Sequence, residues 1–151
     1  MEEVMLRLEQ LLFPLLADVT VQSVDVNNEA IRVKARCMAA GAACPDCASG
    51  SSRIHSPYLR FPADVPSAGR RLVLSLRGRR FFCRNASCGR WTFVEQLPGL
   101  TRWHSRWTER LRSTLAAVGL ARAGRADARL ARAFGVSVSR STILRLLDVL
   151  P

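Results

Sequence analysis

Acidic residues are scarce beyond the first 30 positions of this 151-residue chain. Twelve acids stand against 23 bases, which leaves a formal net charge of +11. Residues 31–151 carry only six of the acids but 22 of the bases, and all the bases except Lys34 are arginine. A field of this sign attracts polyanions, of which the phosphate backbone of nucleic acid is the commonest. Clustering of the bases near the motifs below favours a nucleic-acid partner over the alternative, a coding bias toward arginine.

Long apolar runs and a basic leader are also missing. The longest apolar run, around Leu11 to Leu16, contains Pro14 and is far shorter than the roughly 20 residues of a membrane helix. The first residues are acidic, unlike the start of a secretory signal. These absences predict a cytoplasmic protein without a membrane partner, whose five cysteines are reduced. In that compartment, paired cysteines indicate a metal site rather than disulfides.

The apolar pattern at the start of the chain predicts a helix and then a β-hairpin. Residues 2–12 carry apolar side chains at helical spacing. Residues 19–26 and 31–37 alternate between apolar and polar side chains, which predicts two strands joined by a turn at Asn27. The alternation slips by one residue at Ser23, which indicates a β-bulge.

Four cysteines form two pairs with the spacing of a zinc ribbon. Two residues separate Cys44 from Cys47, and four separate Cys83 from Cys88. Each pair can place two thiolates on one tight loop, and two loops complete a tetrahedral site with Zn–S bonds of about 2.3 Å. Four thiolates close the coordination sphere, so the prediction is one structural Zn²⁺ and no metal-assisted hydrolysis. Cys37 is in phase with apolar neighbours and is expected to be a buried thiol.

A strand with Leu72, Leu74 and Leu76 on one face precedes the second cysteine pair, and Gly78 is predicted to end it. Residues 91–94 are predicted to form a short strand after that pair. Three prolines restrict the segment before residue 70 to short or edge strands: Pro57, Pro62 and Pro66.

Residues 126–147 have the pattern of a helix-turn-helix. Gly135 suits the left-handed residue that ends a first helix, and Ser139 suits the N-cap of a second. An earlier helix, with Trp103 and Trp107 directed inward, completes a predicted three-helix bundle. A helical bundle without a DNA-binding role is the alternative, because many such bundles share a glycine turn.

The second helix of this motif offers arginine and hydroxyl donors, which suit guanine edges and phosphates in the major groove. The predicted DNA contacts are Arg125, Arg129, Arg140, Ser141, Thr142 and Arg145.

The predicted fold class is therefore α+β, in three units. They are an N-terminal helix and β-hairpin (1–40), a four-cysteine zinc ribbon (41–98) and a C-terminal three-helix helix-turn-helix bundle (99–151).

The order of these motifs resembles the N-terminal part of transposases of the ISL-three insertion-sequence family. The resemblance rests on Cys44-Pro45-x-Cys47, Ser51 to Tyr58, Asp64-Val65-Pro66, Arg79 to Cys83 with Cys88, Thr92-Phe93-x-Glu95, and Ser139 to Leu146. It implies that the ribbon and the helix-turn-helix bind double-stranded DNA at the terminal inverted repeats of a transposon. The Asp-Asp-Glu catalytic domain of such transposases lies downstream of these modules. We therefore expect no catalysis from this polypeptide alone.

Two other functions fit the same motifs. One is a free-standing transcription regulator that uses the same two modules. The other is a zinc-ribbon adaptor that binds protein and whose basic surface serves solubility, for which interaction with DNA would be weak and independent of salt. No small-molecule substrate is expected, and a homodimer is a possible assembly.

Overall fold

The computed structural model describes residues 1–14, 16–122, 139, 141, 142 and 145. Two helices and eight strands occupy these ranges. They are α1 (Glu2–Leu12), β1 (Val19–Val26), β2 (Ala30–Cys37), β3 (Ala42–Ala43), β4 (Gly50–Ser51), β5 (Ile54–Arg60), β6 (Ala63–Ser67), β7 (Arg70–Phe82), β8 (Thr92–Val94) and α2 (Glu109–Arg122).

The long strand β7 is the centre of a six-stranded sheet. β2 pairs with it in parallel, whereas β5, β6 and β8 pair with it antiparallel. β1 extends the sheet beyond β2, and β3 and β4 form a separate two-stranded hairpin. The same strand thus contributes to the hydrophobic core through its first half and to the second cysteine pair through its end.

Strand β7 continues through Gly78, so the prediction that this glycine ends the strand is wrong. Gly78 pairs with Tyr58 of β5. Glycine weakens a strand because it has more conformational freedom to lose. Here the strand stays paired through contacts with distant segments. β5 pairs with it on one side, and the Glu95 N–H donates to the carbonyl of the next residue, Arg79, at 3.0 Å.

The N-terminal hairpin forms where the alternation predicts it, with the bulge in place. The register of β1 against β2 shifts between Val21 and Ser23. At the bulge, the Val21 N–H donates to the Glu9 carboxylate at 2.6 Å. A side chain of α1 thus provides a hydrogen-bond partner for a backbone N–H at the irregular position of the strand pair. In the turn, the Asn27 side-chain oxygen accepts from the N–H groups of Glu29 and Ala30.

The hydrophobic core lies between α1, one face of the sheet and the segment after β8. Val33, Ala35 and Leu74 are completely or almost completely buried there. Phe13, which follows α1, packs into the same cluster together with Leu100. Each fully buried large apolar side chain stabilises the fold by roughly 1.5–3 kcal/mol.

The predicted fold class, α+β with a C-terminal three-helix bundle, is wrong for the described part of the chain. Strands dominate it, and α2 packs against β6 rather than in a bundle of three helices. Trp103, predicted to face inward on a helix, lies in a turn and is 44% exposed. The Ala63 N–H donates to the Arg106 carbonyl (2.8 Å), and the Thr108 N–H donates to the Ala63 carbonyl (3.0 Å). Residues 101–108 therefore bond to the sheet edge instead of forming helix.

Helix α2 starts at a polar junction with the sheet. The Thr108 hydroxyl accepts from the Leu111 N–H at 3.2 Å, which caps the helix. The buried Asp64 carboxylate of β6 accepts from this hydroxyl at 2.7 Å and forms an ion pair with Arg110. Arg110 also donates to the Leu12 carbonyl at 2.6 Å. One arginine thus connects α1, β6 and α2.

Most of the predicted helix-turn-helix, including Arg125, Arg129 and Arg140, lies outside the described residues. At the described positions, the Ser139 hydroxyl accepts from the Thr142 N–H at 3.2 Å, the bond expected of an N-cap. Ser141, Thr142 and Arg145 are helical, and the Ser141 and Arg145 side chains are exposed. Their DNA contacts, like the division into three units, stay predictions.

Neither α1 nor α2, the helices of the described ranges, combines the length and the apolar character that a membrane span requires.

Candidate metal centre and nucleic-acid interface

Two hairpins carry the cysteine pairs at their tips. β3 and β4 pair around the first loop, where the Cys44 N–H donates to the Ser49 carbonyl (2.9 Å) and the Ala48 N–H to the Cys44 carbonyl (2.8 Å). Ala48 adopts a φ of 59°, which allows the chain to reverse within so few residues. β7 and β8 flank the second loop, where the Cys83 N–H donates to the Trp91 carbonyl at 2.9 Å.

The four sulfurs have the geometry of a tetrahedral zinc site. All of them lie within 4.8 Å of one another. The Cys44 and Cys88 sulfurs are 4.0 Å apart, and the Cys47 and Cys83 sulfurs are 3.6 Å apart. Four Zn–S bonds of about 2.3 Å require sulfurs about 3.8 Å apart. The prediction of the ligand set is therefore confirmed as a cluster that fits Zn²⁺.

The thiols of this cluster differ in proton affinity. Hydrogen bonds from the side chain and backbone of Ser49 lower the pKa of Cys47 to about 6. At Cys83 a hydrogen bond from the Asn85 backbone lowers the pKa, but desolvation and the neighbouring thiols outweigh it and raise the pKa to about 12. Without metal, Cys47 thus ionises before Cys83 and Cys88, whose pKa values are raised, and its negative charge favours the protons on these two thiols. Zinc must displace these protons when it binds.

In addition to the sulfur cluster, a salt bridge joins the two cysteine loops. Arg90, just after the second loop, donates to both carboxylate oxygens of Asp46 in the first loop, at 2.7 and 3.0 Å. These hydrogen bonds lower the pKa of Asp46. Both side chains are partly exposed, so the pair contributes little to stability but fixes the distance between the loops.

A buried ion pair supports the centre from the sheet side. Arg79 donates to both oxygens of Glu95 at 2.9 and 3.0 Å, and Glu95 is only 4% exposed. The same guanidinium donates to the Ala39 carbonyl at 2.7 Å and lies over the Phe81 ring. It thereby ties the strand of the second loop to the segment that leads into the first.

The fifth cysteine is not a ligand. Cys37 is half-buried, and burial raises the pKa of its thiol. Its sulfur lies 4.0 Å from Arg79, beside the ion pair with Glu95. The expected buried thiol is thus only partly shielded from solvent.

An exposed cation–aromatic surface lies beside the second cysteine loop; we call it the ribbon patch and define it as Arg53, His55, Phe82 and Trp91. The Phe82 ring is at its centre, 4.8 Å from His55 and 6.2 Å from Trp91. The Arg53 guanidinium lies 4.9 Å from the Phe82 centroid. Trp91 is 78% exposed, which is unusual for so large an apolar side chain. Sequence reasoning missed this surface, although Trp91 directly after a cysteine loop is a signal for it.

Residues 40–88 match the family model of the zinc-finger of transposase IS204/IS1001/IS1096/IS1165. The matched segment contains all four clustered cysteines. No curated protein and no solved structure shows a significant match to the chain. The match and the sulfur geometry together establish a transposase-related zinc ribbon that holds one structural Zn²⁺. Such a ribbon is consistent with nucleic-acid binding.

Proposed function

We propose that this chain binds double-stranded DNA and recognises the terminal inverted repeats of a mobile element. The observation that carries the proposal is the ribbon patch beside a transposase-related zinc centre. Among the described residues no carboxylate pairs with Arg53, so its charge is available to a phosphate or a base edge. Trp91 offers a large apolar surface to a deoxyribose or to a base edge such as the thymine methyl group in a groove.

The zinc centre has a positioning role in this proposal. Four thiolates leave Zn²⁺ no open site for a reacting water. The metal and the bond between Arg90 and Asp46 hold the second loop, and with it Trp91, in a defined place. The chain would thus contribute recognition, with no chemical step of its own. Further base reading is assigned to the C-terminal segment, through Arg140 and Arg145.

The ribbon patch is tested by replacing its members one at a time in the full chain. We expect Arg53→Gln and Trp91→Ala each to weaken duplex binding by about 1–3 kcal/mol, the usual value of a good base contact. Leu11→Ala is the control, because Leu11 is also an exposed large apolar residue (72%) but lies on α1, which packs against the core side of the sheet. Fluorescence anisotropy with labelled duplexes measures the affinities.

The target is tested by selecting bound sequences from random duplex DNA. Recurrence of one motif that matches the ends of a mobile element is the expected result. Equal recovery of all sequences would contradict end recognition while leaving DNA binding intact. Absence of duplex binding at 50 mM salt would contradict the whole proposal and favour the protein adaptor.

A further inference from the structure

The sheet has a second basic surface, on the face opposite the hydrophobic core. On β2, Val33 and Ala35 are buried, whereas Arg32, Lys34 and Arg36 are exposed. On β7 the core side chains Leu72, Leu74 and Leu76 alternate with residues that include the exposed Arg71 and Arg77. We call the surface formed by Arg32, Lys34, Arg36, Arg71 and Arg77 the outer sheet face.

The register places these cations side by side. β2 and β7 are parallel, with Lys34 opposite Ser75 and Arg36 opposite Arg77. Like charges directly across two strands repel each other and destabilise the sheet. Asp25 of β1 lies 3.3 Å from Lys34 and neutralises part of this charge. Among the described residues, no carboxylate forms an ion pair with any of the four arginines.

We propose that the outer sheet face is a second DNA-binding surface, which contacts the phosphate backbone without reading sequence. This inference rests on the proposed function and names a further surface for it. Cations two residues apart on a strand are about 7 Å apart, similar to neighbouring phosphates on one DNA strand. Guanidinium groups are the preferred partners of phosphate because they donate two parallel hydrogen bonds.

The composition of the face selects a duplex over a single strand. Base stacking on aromatic side chains is the main device for binding single-stranded nucleic acid. No residue of β2, and none of β7 from Arg70 to Arg77, is aromatic. These two strands therefore offer charge to a backbone and no platform for bases, and backbone contacts carry no sequence information.

Side-chain alternation along β7 places Phe82 of the ribbon patch on the face opposite Arg71 and Arg77, so the two surfaces are separate contact regions. Arg71 and Phe82 are eleven residues apart on this one strand. At about 3.3 Å per residue the separation is about 36 Å.

The test compares two triple variants of the full chain that remove equal charge. Arg32→Gln/Arg36→Gln/Arg77→Gln removes cations from the outer sheet face, whereas Arg7→Gln/Arg102→Gln/Arg106→Gln removes exposed cations elsewhere. The measurement is duplex affinity against salt, for random and selected sequences. For the face variant we expect the slope of log K against log salt to become shallower by about 0.9 for each phosphate that the protein no longer neutralises. Affinity should fall equally on all sequences.

Three outcomes would overturn the role of the outer sheet face, and one of them would also overturn the proposed function. Equal slopes for the two triple variants, with wild-type binding intact, would overturn the outer sheet face and leave the proposed function standing. Failure of the wild-type chain to bind any duplex would overturn both. Tighter binding to vesicles containing phosphatidylserine than to duplex DNA would assign the face to a membrane and contradict the proposal.

Folding of the variants is checked by thermal melting and zinc content. A second variant, Arg36→Glu, places a carboxylate opposite Arg77 and should stabilise the strand pair, since opposite charges attract there. It should nevertheless weaken DNA binding, because it replaces a cation by an anion. Unchanged or tighter binding by this variant would also overturn the proposal.

Discussion

Cys47 and Cys83 face the same metal position, but their proton affinities differ widely. The pKa of Cys47 is about 6 and that of Cys83 about 12, with 3.6 Å between their sulfurs. The Ser49 hydrogen bonds stabilise one thiolate, and its negative charge opposes a second one nearby. A Zn²⁺ ion reverses this preference, because four thiolates around a dication are stabilised together.

Zinc affinity should therefore rise with pH throughout the range from 6 to 9. Cys83 is protonated in the metal-free protein over this whole range, so each binding event releases its proton, and higher pH favours the release. Competition with a chromophoric chelator at several pH values measures the effect. Cys37→Ser should leave the dependence unchanged because Cys37 is not a ligand, while zinc affinity that does not vary with pH would contradict the four-thiolate site.

At the scale of elements, one buried carboxylate fixes α2 to the sheet. The Asp64 side chain is fully buried, and it bonds both the cap residue Thr108 and Arg110. Asp46 makes a similar bidentate pair with Arg90 but is half-exposed. The two pairs share their chemistry and differ in solvation, so they form a matched comparison within one chain.

Asp64→Ala should destabilise the protein by about 3–5 kcal/mol, whereas Asp46→Ala should cost less than about 1 kcal/mol. Removing one partner of a buried pair leaves an uncompensated charge, while an exposed pair is screened by water. Arg110 is itself 34% exposed, which places the expected cost near the lower bound. Urea unfolding of both variants with zinc bound measures the difference. Similar losses of stability would show that burial of Asp64 does not hold α2.

The course of β7 is a second feature of this scale that local patterns could not give. The local sequence predicts that the strand ends at Gly78, because no nearby residue indicates which segments form hydrogen bonds with β7 at this position. β5 begins 24 residues earlier, and the Glu95 N–H comes from 17 residues later. These long-range hydrogen bonds outweigh the low strand propensity of glycine.

For the whole molecule, charge is the dominant property. The net charge of +11 is distributed over several surfaces, including the ribbon patch and the outer sheet face. Contacts of these surfaces with duplex DNA would displace many counterions, and each displaced ion makes binding more sensitive to salt.

We expect duplex affinity to fall by about 10³ to 10⁵ between 50 and 200 mM salt, as for a protein with six to ten phosphate contacts. Equilibrium titrations of the full chain at five salt concentrations give the slope. Heparin should compete as a polyanion, whereas a neutral polymer of the same length should not. A flat salt dependence would contradict DNA binding through these surfaces and agree with the protein adaptor.

The amino-acid sequence by itself determined the features that depend on near neighbours or on fixed ligand chemistry. Helix α1, the bulged hairpin and the four zinc ligands follow from residue spacing, because periodicity and cysteine pairs act over a few residues. Only the tertiary structure decided which segments join the sheet. Residues 101–108 have a helical pattern but bond to Ala63, and the pairs of Arg110 with Asp64 and Arg90 with Asp46 join residues more than 40 positions apart. The ribbon patch and the outer sheet face arise in the same way, since pairing between distant strands brings their side chains onto one surface.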